Sequence, residues 1–289
     1  MQLAEGDVAI GNFAGLILGT MMGPTIVFTI PVALGIIKKE DRGYLGAGVL
    51  AGLITVPIGC IVGGLMMNTL APEYHLNFIT IIQNLIPVII IAALIVLGLW
   101  FAPGPMINGF NKFGTGVTIV ITALTAIAVF EQITGIMFPV FHIMVENPAD
   151  GSRGLDSGLL TCGQIAIVLI GAFPMVEWIT RTFGGALSKL GGALGMNDKG
   201  SAGLVATLAN NIAMFNIMGE MNPKGKILNV AFAVSAAFVF GDHLGFAAGN
   251  DAQMIFPMIA GKLVAGVTAL IVANLLAPKL LSKIQTISK

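Results

Sequence analysis

Apolar residues run through this chain in long stretches separated by short polar loops, without the alternation that marks a half-buried strand. A helix that crosses a hydrocarbon core takes about 20 mostly apolar residues. Eight stretches meet or approach that length, at 11–37, 44–70, 78–101, 114–141, 158–178, 203–219, 227–248 and 252–277. The pattern predicts an all-α, polytopic transmembrane bundle of seven or eight spans, one transporter-like domain over 1–289, and argues against a β-barrel. Glu146–Ser157 and Arg181–Ser201, the longest polar stretches, are too short to bury a core of their own.

Helix breakers fall inside most of these stretches: Gly23-Pro24 and Pro31 in the first, then Pro57, Pro87, Pro139, Pro174 and Pro257. Backbone groups freed by such residues must be satisfied by neighbouring helices or in a wet cavity. Packing kinks are one reading; helices interrupted at a substrate site are the other. Charge placement favours an unusual topology. If all eight stretches cross, seven basic residues collect on one side and six on the other. If 203–219 enters and leaves on the same side, twelve stand against Arg153 alone, which satisfies the positive-inside rule. We therefore expect Gly203–Gly219 to be a re-entrant hairpin with Asn210-Asn211 near its tip. A weak internal repeat over 11–70 and 202–248 sets Gly23-Pro24 opposite Asn210-Asn211.

Composition agrees and removes other classes. Of 289 residues, 56% are hydrophobic and 10% charged, against roughly 25% charged in soluble domains. Net charge is zero and no run of Lys or Arg exists to hold nucleic acid. Cys60 and Cys162 lie in apolar stretches and make no disulfide framework, and His75, His142 and His243 do not stand at metal-ligand spacing. Neither a cofactor, a metal nor an enzymatic nucleophile is expected.

Polar and ionisable groups at membrane depth are costly and default to functional candidates. Asp242 and His243 lie in Gly241-Asp242-His243-Leu244-Gly245, where Gly241 and Gly245 would let the backbone bend and approach a ligand. The carboxylate suits a small cation, and the imidazole a hydrogen bond or a titrating group. Helical rise places Asp242 and Lys262 both about 24 Å from one interface, so an internal Asp242–Lys262 pair competes with that role. Thr207-Leu208-Ala209-Asn210-Asn211 brings a hydroxyl and two amides into an apolar helix, fit either for an amino alcohol or for interhelical glue. Glu131 in the fourth stretch is a further ligand candidate.

The motifs Leu18-Gly19-Thr20-Met21-Met22-Gly23-Pro24-Thr25, Pro57-Ile58-Gly59-Cys60, Ala206-Thr207-Leu208-Ala209-Asn210-Asn211 and Gly241-Asp242-His243-Leu244-Gly245-Phe246 resemble the ethanolamine transporters of bacterial ethanolamine-utilisation operons. The resemblance covers about residues 11–277. It implies a multi-pass inner-membrane permease that takes protonated ethanolamine through the lipid bilayer and uses no cobalamin, with Asp242 on the ammonium, Asn210 and Asn211 orienting the amino alcohol, and His243, Thr207 and Glu131 nearby. Two features depart from that family: its members begin with further apolar segments upstream of the point aligning with Gln2–Val8, and Ala213 stands where a proline is expected. The alternatives are therefore a truncated or accessory subunit that needs a partner chain or a homo-oligomer, and a transporter of another small organic cation.

Overall fold

A computed structural model describes residues 5–70, 74–139, 141 and 154–287. His142 and Arg153, named above, lie outside them. Residues 5–36 form one continuous helical run, α1, in which α-helical turns at Glu5–Asn12, Gly19–Pro24 and Ile30–Ile36 alternate with π turns at Phe13–Leu18 and Thr25–Thr29. The remaining helices are α2 (Arg42–Leu53), α3 (Val56–Leu70), α4 (Phe78–Phe101), α5 (Pro103–Thr134), α6 (Gly154–Ala193), α7 (Asp198–Ala209), α8 (Asn211–Ile217), α9 (Pro223–Ala236), α10 (Asp242–Asn250) and α11 (Ile255–Ile287).

Among the described residues, four helices are long and apolar enough to cross a membrane alone: Phe78–Phe101, Pro103–Thr134, Gly154–Trp178 and Ala252–Gln285. The pair Lys39–Leu53 and Val56–Leu70, bent by 41°, brings the number to five if it is counted as one span. This differs from eight equal stretches, and each difference has a local cause. Pro103 starts α5 well before residue 114, and Gly135, at φ 71, ends it before 141. The fifth stretch continues past Trp178 through Arg181 and Lys189 to Ala193, since charged side chains at a helix end cost little once they reach water. The stretches 203–219 and 227–248 are each two helices. Prolines do not mark those two breaks. Pro87 and Pro174 sit inside unbroken helices, and Pro57 lies in the first turn of α3 at the 41° bend.

α11 lies between α3 and α9, and α9 packs in turn on α2. Glycine makes these crossings close. A Cβ on Gly52 would stand 2.7 Å from the Ala231 carbonyl oxygen, and one on Gly59 would stand 2.5 Å from that of Gly261. α1 lies against this centre. α6 runs along the outside, packed on α10 and on α7.

The helix ends sort into two groups. At one end Lys226 pairs with Asp41, Lys199 pairs with Glu220 at 2.8 Å, and Asn197 donates to the Glu220 carbonyl at 2.8 Å. At the other, Asn12 and Tyr74 both donate to Asp251. α7 and α8 thus form a helical hairpin whose base, Asn197 to Asn222, is tied together and whose tip is Asn210.

Candidate functional site

The breaks in α7–α8 and α9–α10 meet, and each supplies what the other lacks. Ending α7 at Ala209 leaves carbonyls without intrahelical donors; ending α9 at Ala236 leaves N–H groups beyond it without acceptors. Phe238 N–H donates to the Thr207 carbonyl at 3.1 Å and Phe240 N–H donates to that of Leu208 at 2.9 Å. Two short backbone bonds therefore lock the segments where they cross. Phe238 adopts φ 61, a left-handed conformation uncommon for an aromatic residue. Gly241 completes the contact, because a Cβ there would stand 2.1 Å from the Ala209 carbonyl oxygen.

The sequence motif residues arrive at this crossing with unequal roles. Asp242 opens α10 beside the Gly241–Ala209 approach; it is exposed and makes no ion pair among the described residues. His243 sets its ring 5.3 Å from that of Phe238, tilted by 58°, and leaves Nδ1 buried without a partner. Asn210 spends its Oδ1 on the Ile212 N–H at 2.8 Å, capping α8. Asn211 is fully buried; its Nδ2 donates to Thr29 Oγ1 at 2.8 Å, and its Oδ1 has no partner. Thr207 contributes its backbone carbonyl, since its hydroxyl donates to Gly203 within α7 at 2.8 Å. Gly245 approaches α6, where a Cβ would stand 2.8 Å from an Ile165 methyl.

The competing Asp242–Lys262 pair is absent. Lys262, 1% exposed, donates to the Thr20 carbonyl at 2.9 Å. Pro24 explains that partner: it stands four residues after Thr20 and has no N–H, so the carbonyl lacks its α-helical donor. The rise arithmetic failed because it treated α9–α10 as one continuous helix, and the unwound 237–241 shifts Asp242 off that line. Glu131 is not at the crossing either. Gly114 packs on Pro31, and Glu131 lies about 25 Å further along α5. There its Oε1 accepts the Phe138 N–H at 2.5 Å, holding the chain after the helix end. Gly23 has open space around its Cβ position and makes no close approach.

Sequence reasoning missed the threonines of α1. Thr20, Thr25 and Thr29 are all buried. Besides Thr20 and Thr29, already placed, Thr25 Oγ1 donates at 2.9 Å to the Val234 carbonyl, which the early end of α9 leaves free. The five-residue step from Thr20 to Thr25 departs from a regular α-helical face, and Pro24 falls within it. Their spacing beside Pro24 is the signal that was available. Among the described residues no group of three or more His, Cys, Asp or Glu side chains could hold a metal ion.

Two interrupted helical segments that cross within an apolar bundle, with the exposed Asp242 beside the crossing, fit the class of multi-pass membrane transporters built on broken helices. The chain belongs to the EutH family, matching "Ethanolamine utilisation protein, EutH" over residues 1–276. It is 54% identical over 273 residues to the "Probable ethanolamine permease EutH" of Listeria monocytogenes serotype 1/2a (strain 10403S), covering 94% of this chain and 69% of that protein. It is 51% identical over 289 residues to the protein of the same name from Escherichia coli (strain K12), covering 96% and 70%. The "Uncharacterized protein YxeR" of Bacillus subtilis (strain 168) is 45% identical over 273 residues, covering 94% and 69%. No solved structure matches.

Proposed function

We propose that the chain is an ethanolamine permease of the bacterial cytoplasmic membrane, with Asp242 as the ammonium ligand. The observation that carries the reading is the open, unpaired carboxylate of Asp242 beside the crossing of two helix breaks. A carboxylate held at that depth without a cation is expensive, and a protonated amine relieves the cost. Ethanolamine is protonated near neutral pH and brings strong N–H donors that an aromatic cage would leave unused. The Ala209 carbonyl, which Gly241 allows to lie against the start of α10, is a second acceptor for the ammonium. The Nδ2 of Asn210 and the Nδ1 of His243 are within the same segments for the hydroxyl. In this reading Asn211 orients the tip through Thr29 and does not touch substrate.

The membrane arrangement is seven crossings, two of them bent or broken, plus α7–α8 as a re-entrant hairpin. The end that gathers Asp41, Lys199, Glu220 and Lys226 faces the cytoplasm, in keeping with the basic residues of the adjoining loops. Uptake of radiolabelled ethanolamine by cells that trap it, at an acidic external pH that suppresses the neutral amine, tests the function. Saturable uptake lost in Asp242→Asn at matched membrane expression supports the reading. Saturable uptake that persists in Asp242→Asn removes that residue from the site, and choline competing as well as ethanolamine would widen the substrate to small organic cations.

A further inference from the structure

A cavity of about 290 Å³ lies away from the crossing, at the basic end, between the start of α2, the α4–α5 junction and the last turns of α11. Its more exposed lining carries Lys39, Arg42 and Lys283, against one acid, Glu40, and forms the mouth. Glu40 is already faced by Lys38 at 3.9 Å, an exposed pair. The three cations at the mouth have no carboxylate partner among the described residues. Arg42 is the most underused. Its Nη2 makes one long bond, 3.5 Å to the Leu34 carbonyl, and its Nε is buried without an acceptor. Its Nη1 makes no hydrogen bond among the described residues and is not buried, and a guanidinium with donors to spare suits a phosphate.

Below the rim the walls change character: Leu50, Leu99, Ile107 and Leu280 are apolar and buried, and Gly43 and Gly46 let α2 lie close to Ile284 and Ile107. Trp100 stands at the boundary, with Lys283 Nζ 4.4 Å from its ring centroid and hydrogen-bonded to its carbonyl. An aromatic ring and snorkelling cations at one level mark a membrane–water interface. A free anion would use the rim and leave the apolar groove unfilled. We infer that this cavity holds an anionic phospholipid, its phosphate on Arg42, Lys39 and Lys283 and one acyl chain in the groove between α2, α5 and α11. The site lies on the face where basic pockets between helices meet anionic lipid headgroups. It clamps α11 to α2 at the end opposite Asp251, so the lipid acts as a structural partner of the bundle and not as cargo.

Trp178→Phe leaves Trp100 as the single tryptophan of the chain. Its fluorescence in the purified full chain can then be titrated with phosphatidylglycerol or phosphatidylcholine carrying brominated acyl chains. The proposal expects half-maximal quenching by phosphatidylglycerol at a roughly tenfold lower mole fraction than by phosphatidylcholine. Adding Arg42→Gln should remove most of that preference, and inorganic phosphate alone should not prevent quenching. Equal quenching by the two lipids in the Trp178→Phe protein overturns the proposal even if Arg42→Gln fails to fold. Quenching by phosphatidylglycerol that free phosphate abolishes at a concentration equal to the lipid's would assign the site to a soluble anion, and also overturns it.

Discussion

Gly241→Ala tests the crossing at its narrowest point. The added methyl would stand 2.1 Å from the Ala209 carbonyl oxygen and 3.1 Å from its carbonyl carbon, whereas carbon and carbonyl oxygen in close contact sit about 3.4 Å apart. The segments must separate by roughly 1.3 Å to reach that distance. Backbone at both positions would have to move, since no flexible side chain lies between them. The bonds from Phe238 to Thr207 and from Phe240 to Leu208, at 3.1 and 2.9 Å, would then stretch beyond bonding range. Each buried amide left without a partner costs about 1–3 kcal/mol, so the substitution should destabilise the protein by about 2–6 kcal/mol. Denaturant unfolding in mixed micelles measures that loss, and cellular uptake should fall with it. Gly23→Ala is the matched control: with nothing within 4 Å of its Cβ position, it should stay within about 1 kcal/mol of the parent. Parental stability and uptake in Gly241→Ala would refute the argument that this approach holds the breaks together.

Lys262→Met should destabilise the chain by leaving the Thr20 carbonyl buried without a donor. Pro24→Ala, which returns an N–H to that carbonyl, should lower the cost of Lys262→Met by about 1 kcal/mol or more in a double-mutant cycle, whereas Asp242→Asn should not. Cysteines replacing Lys199 and Glu220, each tested singly in a Cys162→Ser background, should both react with an impermeant thiol reagent from the cytoplasmic side only; labelling from opposite sides would end the re-entrant reading. Asp41→Asn removes the partner of Lys226 in a largely buried pair, side-chain exposures 2% and 11%. It should cost about 3–5 kcal/mol in an unfolding measurement, and a change within error would show that the pair is dispensable.

The chain declares some of this and conceals the rest. Long apolar runs give away a membrane bundle, because that depends on composition within a segment; the re-entrant course read for 203–219 from the count of basic residues rests on the labelling test above. Asn210-Asn211 and Gly241-Asp242-His243 stand out as polar groups where apolar ones are cheaper, and they do flank the crossing. Ala237-Phe238-Val239-Phe240 reads as ordinary helix. It unwinds because carbonyls of Thr207 and Leu208, some thirty residues earlier, accept its N–H groups, and a backbone acceptor has no signature in sequence. Lys262 misled for the same reason: a lysine near a carboxylate in depth suggests a pair, while its true partner is a peptide carbonyl made available by Pro24. Glu131 looks intramembrane by position in an apolar run, yet the run ends at Gly135 and the carboxylate serves the turn.

In the proposed function Asp242, at the crossing, holds the ammonium of ethanolamine. Equilibrium binding of radiolabelled ethanolamine to the purified chain, beside Asp242→Asn of equal stability, tests it without dependence on transport direction or coupling. The expected result is saturable binding that Asp242→Asn weakens at least about tenfold, the loss of one charge-assisted contact. Binding of equal affinity in both proteins would contradict it.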